Sequence, residues 1–200
     1  MIPARFINEQ IDYIPENNDT DNSNDWDVGY NYNEGEETFF INEDLGYQLP
    51  VVDAALGSRF YSLLKTENGG TSWETLNQDP YIGRTGVSAG IIFINEELGF
   101  IGMSHSGGSY GELYRTKDGG ASFEEVSIPE IQVSLSETET YNPFDLPEMP
   151  FEENGKLLLL VGQGQDGDYK GGCKALYQSD DRGKTWEYIK EVLPVEFPPS

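Results

Sequence analysis

Apolar residues in this chain come in short alternating bursts divided by polar turns. Phe39 and Phe40 run into Asn42-Glu43-Asp44-Leu45-Gly46, and a second run leaves from Tyr47 to Val52. Ile91-Ile92-Phe93 likewise runs into Asn95-Glu96-Glu97-Leu98-Gly99 and leaves from Phe100 to Met103. Bursts of this length, with period two and polar ends, predict strands and hairpins. Helical spacing is absent, and 23 glycines and 11 prolines interrupt every interval long enough for a helix. The pattern therefore predicts a mostly antiparallel all-β chain.

The bursts repeat. Phe40-Ile41-Asn42-Glu43-Asp44-Leu45-Gly46-Tyr47 and Phe93-Ile94-Asn95-Glu96-Glu97-Leu98-Gly99-Phe100 share six of eight residues. Downstream of each stands an octapeptide of one pattern: hydroxyl, x, Asp or Asn, x, Gly, x, hydroxyl, aromatic. Its copies are Thr66 to Trp73, Thr116 to Phe123 and Ser179 to Trp186. Each lies between a short apolar stretch and an alternating one, as a hairpin loop does. The unit reads strand, turn, strand, connection, strand, hairpin, strand, over about 50 residues, the period of a four-stranded propeller blade. The fold expectation is thus a β-propeller of four-stranded antiparallel blades at about 36–80, 88–128 and 145–190. A weaker unit starts at Met149 to Gly155, and Phe6 to Tyr13 with Asp19 to Trp26 suits a degenerate fourth blade or an acidic linker. Residues 1–35 are read as an acidic N-terminal segment and 193–200 as a tail.

Each octapeptide position solves a turn problem. Gly70, Gly120 and Gly183 supply the positive φ of a tight reversal. Asn68, Asp118 and Asp181 accept hydrogen bonds from the turn's own N–H groups, and Thr66, Thr116 and Ser179 add a second side-chain bond. Trp73, Phe123 and Trp186 place a large ring beneath the turn.

The octapeptides resemble Asp-boxes, or BNR repeats, of sialidase-like β-propellers and of the photosystem II assembly-factor-like and sortilin-like propellers. Leu113 to Gly120 after Phe93-Ile94-Asn95 is most similar to the assembly-factor-like branch, and the resemblance spans about residues 36–190. In that family the boxes lie on outer hairpins, so they certify architecture rather than catalysis. The resemblance implies a non-catalytic binding or scaffold module for a protein or glycan, of a kind commonly exported. The alternative is a glycoside hydrolase of sialidase-like architecture. Sialidases carry an arginine triad, an Arg-Ile-Pro segment and a Tyr–Glu pair. Here Arg5 is followed by Phe6-Ile7-Asn8, and only Arg5, Arg59 and Arg84 stand outside the boxes. Three blades do not close a ring, and a longer polypeptide is favoured over a fourth blade or association of copies.

Charge narrows the partners. The chain has 36 acids against 12 bases and a net charge of -24, which repels nucleic acid and anionic lipid surfaces. Residues 1–50 hold 12 of those acids and one base. Nothing approaches the apolar length of a membrane-spanning helix, and Met1 to Gln10 lacks the basic-then-apolar order of a secretory signal. Asn18-Asp19-Thr20 is a glycosylation sequon. Cys173, the one cysteine, excludes an internal disulfide and reads as a packed apolar side chain. Asp166 and Asp168 offer oxygen ligands to Ca²⁺, but Lys170 and Tyr177 stand where a calcium loop needs ligands, so no cofactor is expected. Ligand contact is assigned to Tyr81 and Arg84 in the connection Pro80 to Gly86, with His105 and Tyr110, because aromatic and Arg side chains dominate binding surfaces.

Overall fold

A computed structural model describes residues 37–56, 58–164 and 167–194. The Phe6 to Trp26 unit, Arg5, the sequon and Asp166 lie outside the described residues. The protein is all-β, with three antiparallel sheets stacked face to face, two small ribbons and no α-helix among the described residues. No closed propeller is formed by them.

The first sheet begins with β1 (Glu37–Phe40) and β2 (Gly46–Leu49). A ribbon of β3 (Val51–Ala55) and β4 (Ser58–Tyr61) follows, and β5 (Leu63–Thr66) and β6 (Glu74–Asn77) complete the order β1-β2-β5-β6. The second sheet contains β7 (Val87–Phe93), β8 (Gly99–His105), β9 (Tyr110–Thr116) and β10 (Glu124–Glu125), each beside its chain neighbour. β11 (Val133–Ser134) and β12 (Thr140–Tyr141) form a second ribbon. The third sheet has five strands where four were expected: β13 (Leu146–Pro147), β14 (Phe151–Glu153), β15 (Lys156–Gly162), β16 (Lys174–Ser179) and β17 (Glu187–Val192).

The fifth strand arises because the first strand of that unit is split. β13 pairs with Val161 and Gly162, and β14 pairs with Lys156 to Leu158. Between them lies Pro150, which has no N–H to give a ladder. The break lets Met149 fill the hollow over Gly90 and Gly102, where an added Cβ would come within 2.8 and 2.7 Å of its side chain.

The middle sheet is buried on both faces, and period two decides which residue goes where. Ile91, Phe93, Ile101, Met103 and Tyr114 join Tyr47, Leu49, Tyr61 and Leu63 in one core layer. Ile92, Phe100 and Leu113 join Leu157, Leu159, Val161, Ala175 and Tyr177 in the other, where Cys173 is also fully buried. Tyr47 and Phe93 stack across the first interface at 3.6 Å between centroids and 6° between planes. Each buried Leu, Ile or Phe contributes about 1.5–3 kcal/mol, so these two layers supply most of the favourable energy.

Candidate functional site

The three octapeptides form one hydrogen-bonded turn, made three times. The Thr66 hydroxyl donates to Asn68 Oδ1 at 3.0 Å and accepts the Gly70 N–H at 3.0 Å, while Asn68 Oδ1 accepts the Ser72 N–H at 2.9 Å. Thr116, Asp118, Gly120 and Ser122 repeat this at 2.8, 2.8 and 2.9 Å. Ser179, Asp181, Gly183 and Thr185 repeat it at 2.9, 2.8 and 2.8 Å. The hydroxyls and carboxylates are thus engaged inside their own turns. Trp186 is buried, whereas Trp73 and Phe123 are half-buried, with Phe40 edge-on to Trp73 at 5.9 Å.

The turns also bind the sheets together. The Gly69 N–H donates to the Asp44 carbonyl at 2.9 Å and the Gly119 N–H to that of Glu97 at 2.8 Å, joining each octapeptide to the Asn-Glu turn of its own sheet. Between sheets, the Asn77 side-chain amide donates to the Gly120 carbonyl at 3.3 Å, and Arg115 Nε donates to the Arg182 carbonyl at 2.7 Å.

The four residues assigned to ligand contact fall into two places. Tyr81 is 1% exposed, and it lies in the floor of a hollow that Arg84 also borders. Its hydroxyl donates to the Gly102 carbonyl at 2.8 Å, and its ring sits edge-on to Tyr61 at 5.5 Å and to Tyr114 at 5.3 Å. The inter-sheet core captures the ring, and burial pushes its hydroxyl far above the ordinary tyrosine value. Beside it, the Tyr61 hydroxyl accepts the Ser88 N–H at 2.8 Å, and burial raises the Glu37 carboxyl against a hydrogen bond from Ser88. Arg84 reaches solvent, 4.0 Å from Glu125, an exposed pair of small energetic worth.

Above Tyr81 lies an open hollow of about 280 Å³ bordered by Val52, Asp53, Phe60, Asp79 and Arg84. Its walls are the β3–β4 ribbon and the connection from the first sheet to the second. The Arg59 and Gly86 backbones bond reciprocally at 3.0 and 3.3 Å, fastening ribbon to connection. Sequence reasoning treated the ribbon as a plain connection and missed Val52, Asp53, Phe60 and Asp79. The signal available was Val52 and Phe60, large apolar residues flanking the Asp53 to Arg59 connection.

His105 and Tyr110 do not border that hollow. Their rings stack on each other at 4.7 Å at the end of the β8–β9 hairpin. His105 Nε2 lies 3.4 Å from Glu112 Oε2, an ion pair when the ring is protonated. The Tyr114 hydroxyl donates to the same carboxylate oxygen at 2.5 Å. This Tyr–Glu pair has the composition of the sialidase nucleophile, but Tyr114 is 1% exposed, and burial and Glu112 hold its hydroxyl protonated well above the ordinary range. A nucleophile needs the opposite shift and an open face.

Asp168 precedes a single 3-10 turn, Tyr169–Gly171, and its carbonyl accepts the Gly171 N–H at 2.9 Å. Among the described residues no cluster of three His, Cys, Asp or Glu has metal-binding geometry, and no helix is long and apolar enough to cross a membrane.

No family model matches the chain, and no curated protein matches it. Among solved structures, a protein of unknown function from Dyadobacter fermentans is similar, with a TM-score of 0.48 and 18% identity. The match covers 80% of this chain and 56% of that one, so the chain spans little more than half its length.

Proposed function

We propose that the chain is a non-catalytic Asp-box β-propeller module, or part of one, that binds a protein or a glycan through a connection between blades. The observation that carries this reading is the hollow at the first inter-sheet connection, where Val52 and Phe60 are 58% and 39% exposed beside Arg84. Exposed apolar side chains around a concavity with a few polar groups mark a recognition surface. The octapeptides support the architectural half of the reading, since their polar atoms are engaged in holding turns.

The test presents the intact chain to a glycan array and a protein array, beside Arg84→Ala combined with Phe60→Ala. Removing an aromatic and an arginine from the surface is expected to weaken binding about tenfold or more. Undiminished binding by the double variant would remove this surface from the proposal. Turnover of a fluorogenic sialoside by the intact chain, abolished by Tyr114→Phe, would favour the glycoside hydrolase alternative instead.

A further inference from the structure

We infer that residues 1–36 of this chain dock on the outward face of the third sheet and form a fourth layer of the stack. The starting observation is a pair of side chains. Leu160 and Val192 are 5% and 6% exposed, yet they belong to neither core layer. Period two turns both away from the second sheet: Leu157, Leu159, Val161, Ala175 and Tyr177 line the inner layer, so Leu158, Leu160 and Leu176 point outward. Val192 joins them through its pairing with Lys174, and Phe151 through its pairing with Leu158. Burial at that depth needs a cover, and a contiguous apolar face of this kind marks a contact surface.

The opposite end of the stack is finished differently. On the outward face of the first sheet, Thr38, Gln48, Leu64 and Thr75 pair across the four strands in one row, three polar and one apolar. Phe40, at the end of that face, packs edge-on against Trp73. A polar outer face closes a stack, and an apolar one continues it. The third sheet is therefore the end that takes the next layer.

The occupant follows from where the chain leaves the described residues. Glu37 opens β1, and its carboxyl takes a hydrogen bond from Ser88 of β7, so residues 1–36 depart beside the middle sheet. Two sheet spacings of about 10 Å reach from there to the far side of the third sheet. About six extended residues span that distance, which leaves about thirty to cover the face. Phe6 to Tyr13 keeps five of the eight residues of Phe40 to Tyr47. In the second sheet the equivalent Phe93 turns to the preceding sheet, where it stacks on Tyr47, and Phe6 accordingly faces Phe151 and Leu160. Charge agrees, since residues 1–36 hold nine acids and one base, while Lys156, Lys174 and Lys190 stand on the outward face beside Glu148, Glu153 and Glu187. A second copy would offer its strands only at bulk concentration, whereas a tethered segment acts at an effective concentration in the millimolar range.

This docking is independent of what the inter-blade connection binds. The test mixes the intact chain with an equal amount of isotope-labelled chain and treats it with a carbodiimide, which joins Lys amines directly to carboxylates. Mass spectrometry is expected to find Lys156, Lys174 or Lys190 joined to acids between Glu9 and Asp27 of the same chain. Links only between labelled and unlabelled chains would give the face to a second copy, and links from those acids to Lys65 or Lys117 alone would put the segment on another sheet. Either outcome overturns the proposal, as does the absence of any link to the three lysines. A Glu-specific protease reads the same contact from both sides. Cutting after Glu9 and Glu16 should speed up about tenfold or more in Phe6→Asp, and likewise in Leu176→Glu, while near-ultraviolet circular dichroism shows the sheets still packed. Phe6→Asp leaves the two described core layers untouched, so its result stands even if Leu176→Glu fails to fold. Cutting at the wild-type rate in the folded variants overturns the proposal even where links form.

Discussion

Asp181 stays charged far into the acid range because the N–H and hydroxyl of Thr185, then the Ser179 hydroxyl and the Lys184 N–H, all donate to its carboxylate, holding its pKa at about 2. Asp118 is shifted the same way: burial opposes, and the Ser122 hydroxyl and N–H prevail. A carboxyl with a folded-state value below its unfolded one adds stability that is complete above the unfolded value. For Asp181 that contribution is lost as pH falls from about 4 through about 2. The first octapeptide carries the charge-free version, since the Asn68 amide donates to the Ser72 hydroxyl at 2.8 Å. Asp181→Asn should therefore fold normally at neutral pH and show a shallower stability loss across that acid window. Superimposable acid-unfolding curves for the two proteins would contradict this, as would a carboxyl titration of Asp181 by NMR with a midpoint near 4. Such chemistry is legible in a sequence because every partner lies within seven residues. Tyr81 shows the opposite case, since an aromatic in a connection reads as surface until the Gly102 carbonyl, from a separate strand, is seen to accept its hydroxyl.

At the scale of the element, glycine separates two kinds of turn. Asn154 and Gly155, at φ 52 and 77, make a two-residue type I′ hairpin between β14 and β15, in place of the longer Asn-Glu turn of the first two sheets. A Cβ on Gly155 would meet nothing within 4 Å, so Gly155→Ala costs backbone strain alone, about 1–2 kcal/mol. Gly183 has the same φ of 77, but its Cβ would lie 2.5 Å from the Phe100 ring of the neighbouring sheet. Gly183→Ala adds overpacking, for a total of about 2–5 kcal/mol. Urea denaturation of the two variants measures the difference, and equal losses would mean that the octapeptide does not seat against the second sheet. The strands themselves were legible as short apolar bursts ended by polar turns, as Ile91-Ile92-Phe93 before Asn95 shows. What the break at Pro150 accommodates was not, because Met149 meets Gly90 and Gly102, which are remote in sequence, only when the sheets stack.

At the scale of the molecule, the middle sheet supplies fully buried residues to both core layers, and Phe39 of the first sheet is the partly buried side chain that packs against both, so the protein behaves largely as a short linear stack. Nothing in the alternation of Phe100 and Ile101 tells which faces the first sheet and which the third; sheet order settles it. The consequence is a pattern of coupling. Leu63 and Leu159 are both fully buried, in different layers, while Leu63 and Ile101 share one. Each truncation to alanine should cost about 2–5 kcal/mol, the spread reflecting how far each cavity collapses. Leu63→Ala with Leu159→Ala should add to within about 0.3–0.5 kcal/mol, since the two sites share no partner. Leu63→Ala with Ile101→Ala should depart from additivity by about 0.5 kcal/mol or more, because the second cavity opens onto walls the first has already loosened. If the cross-layer pair is the coupled one, the middle sheet transmits strain from face to face and the stack is a single core. Additivity across the layers would instead leave each interface its own energetic unit, so that a lesion beneath the hollow at Phe60 weakens the first interface without unseating the third sheet.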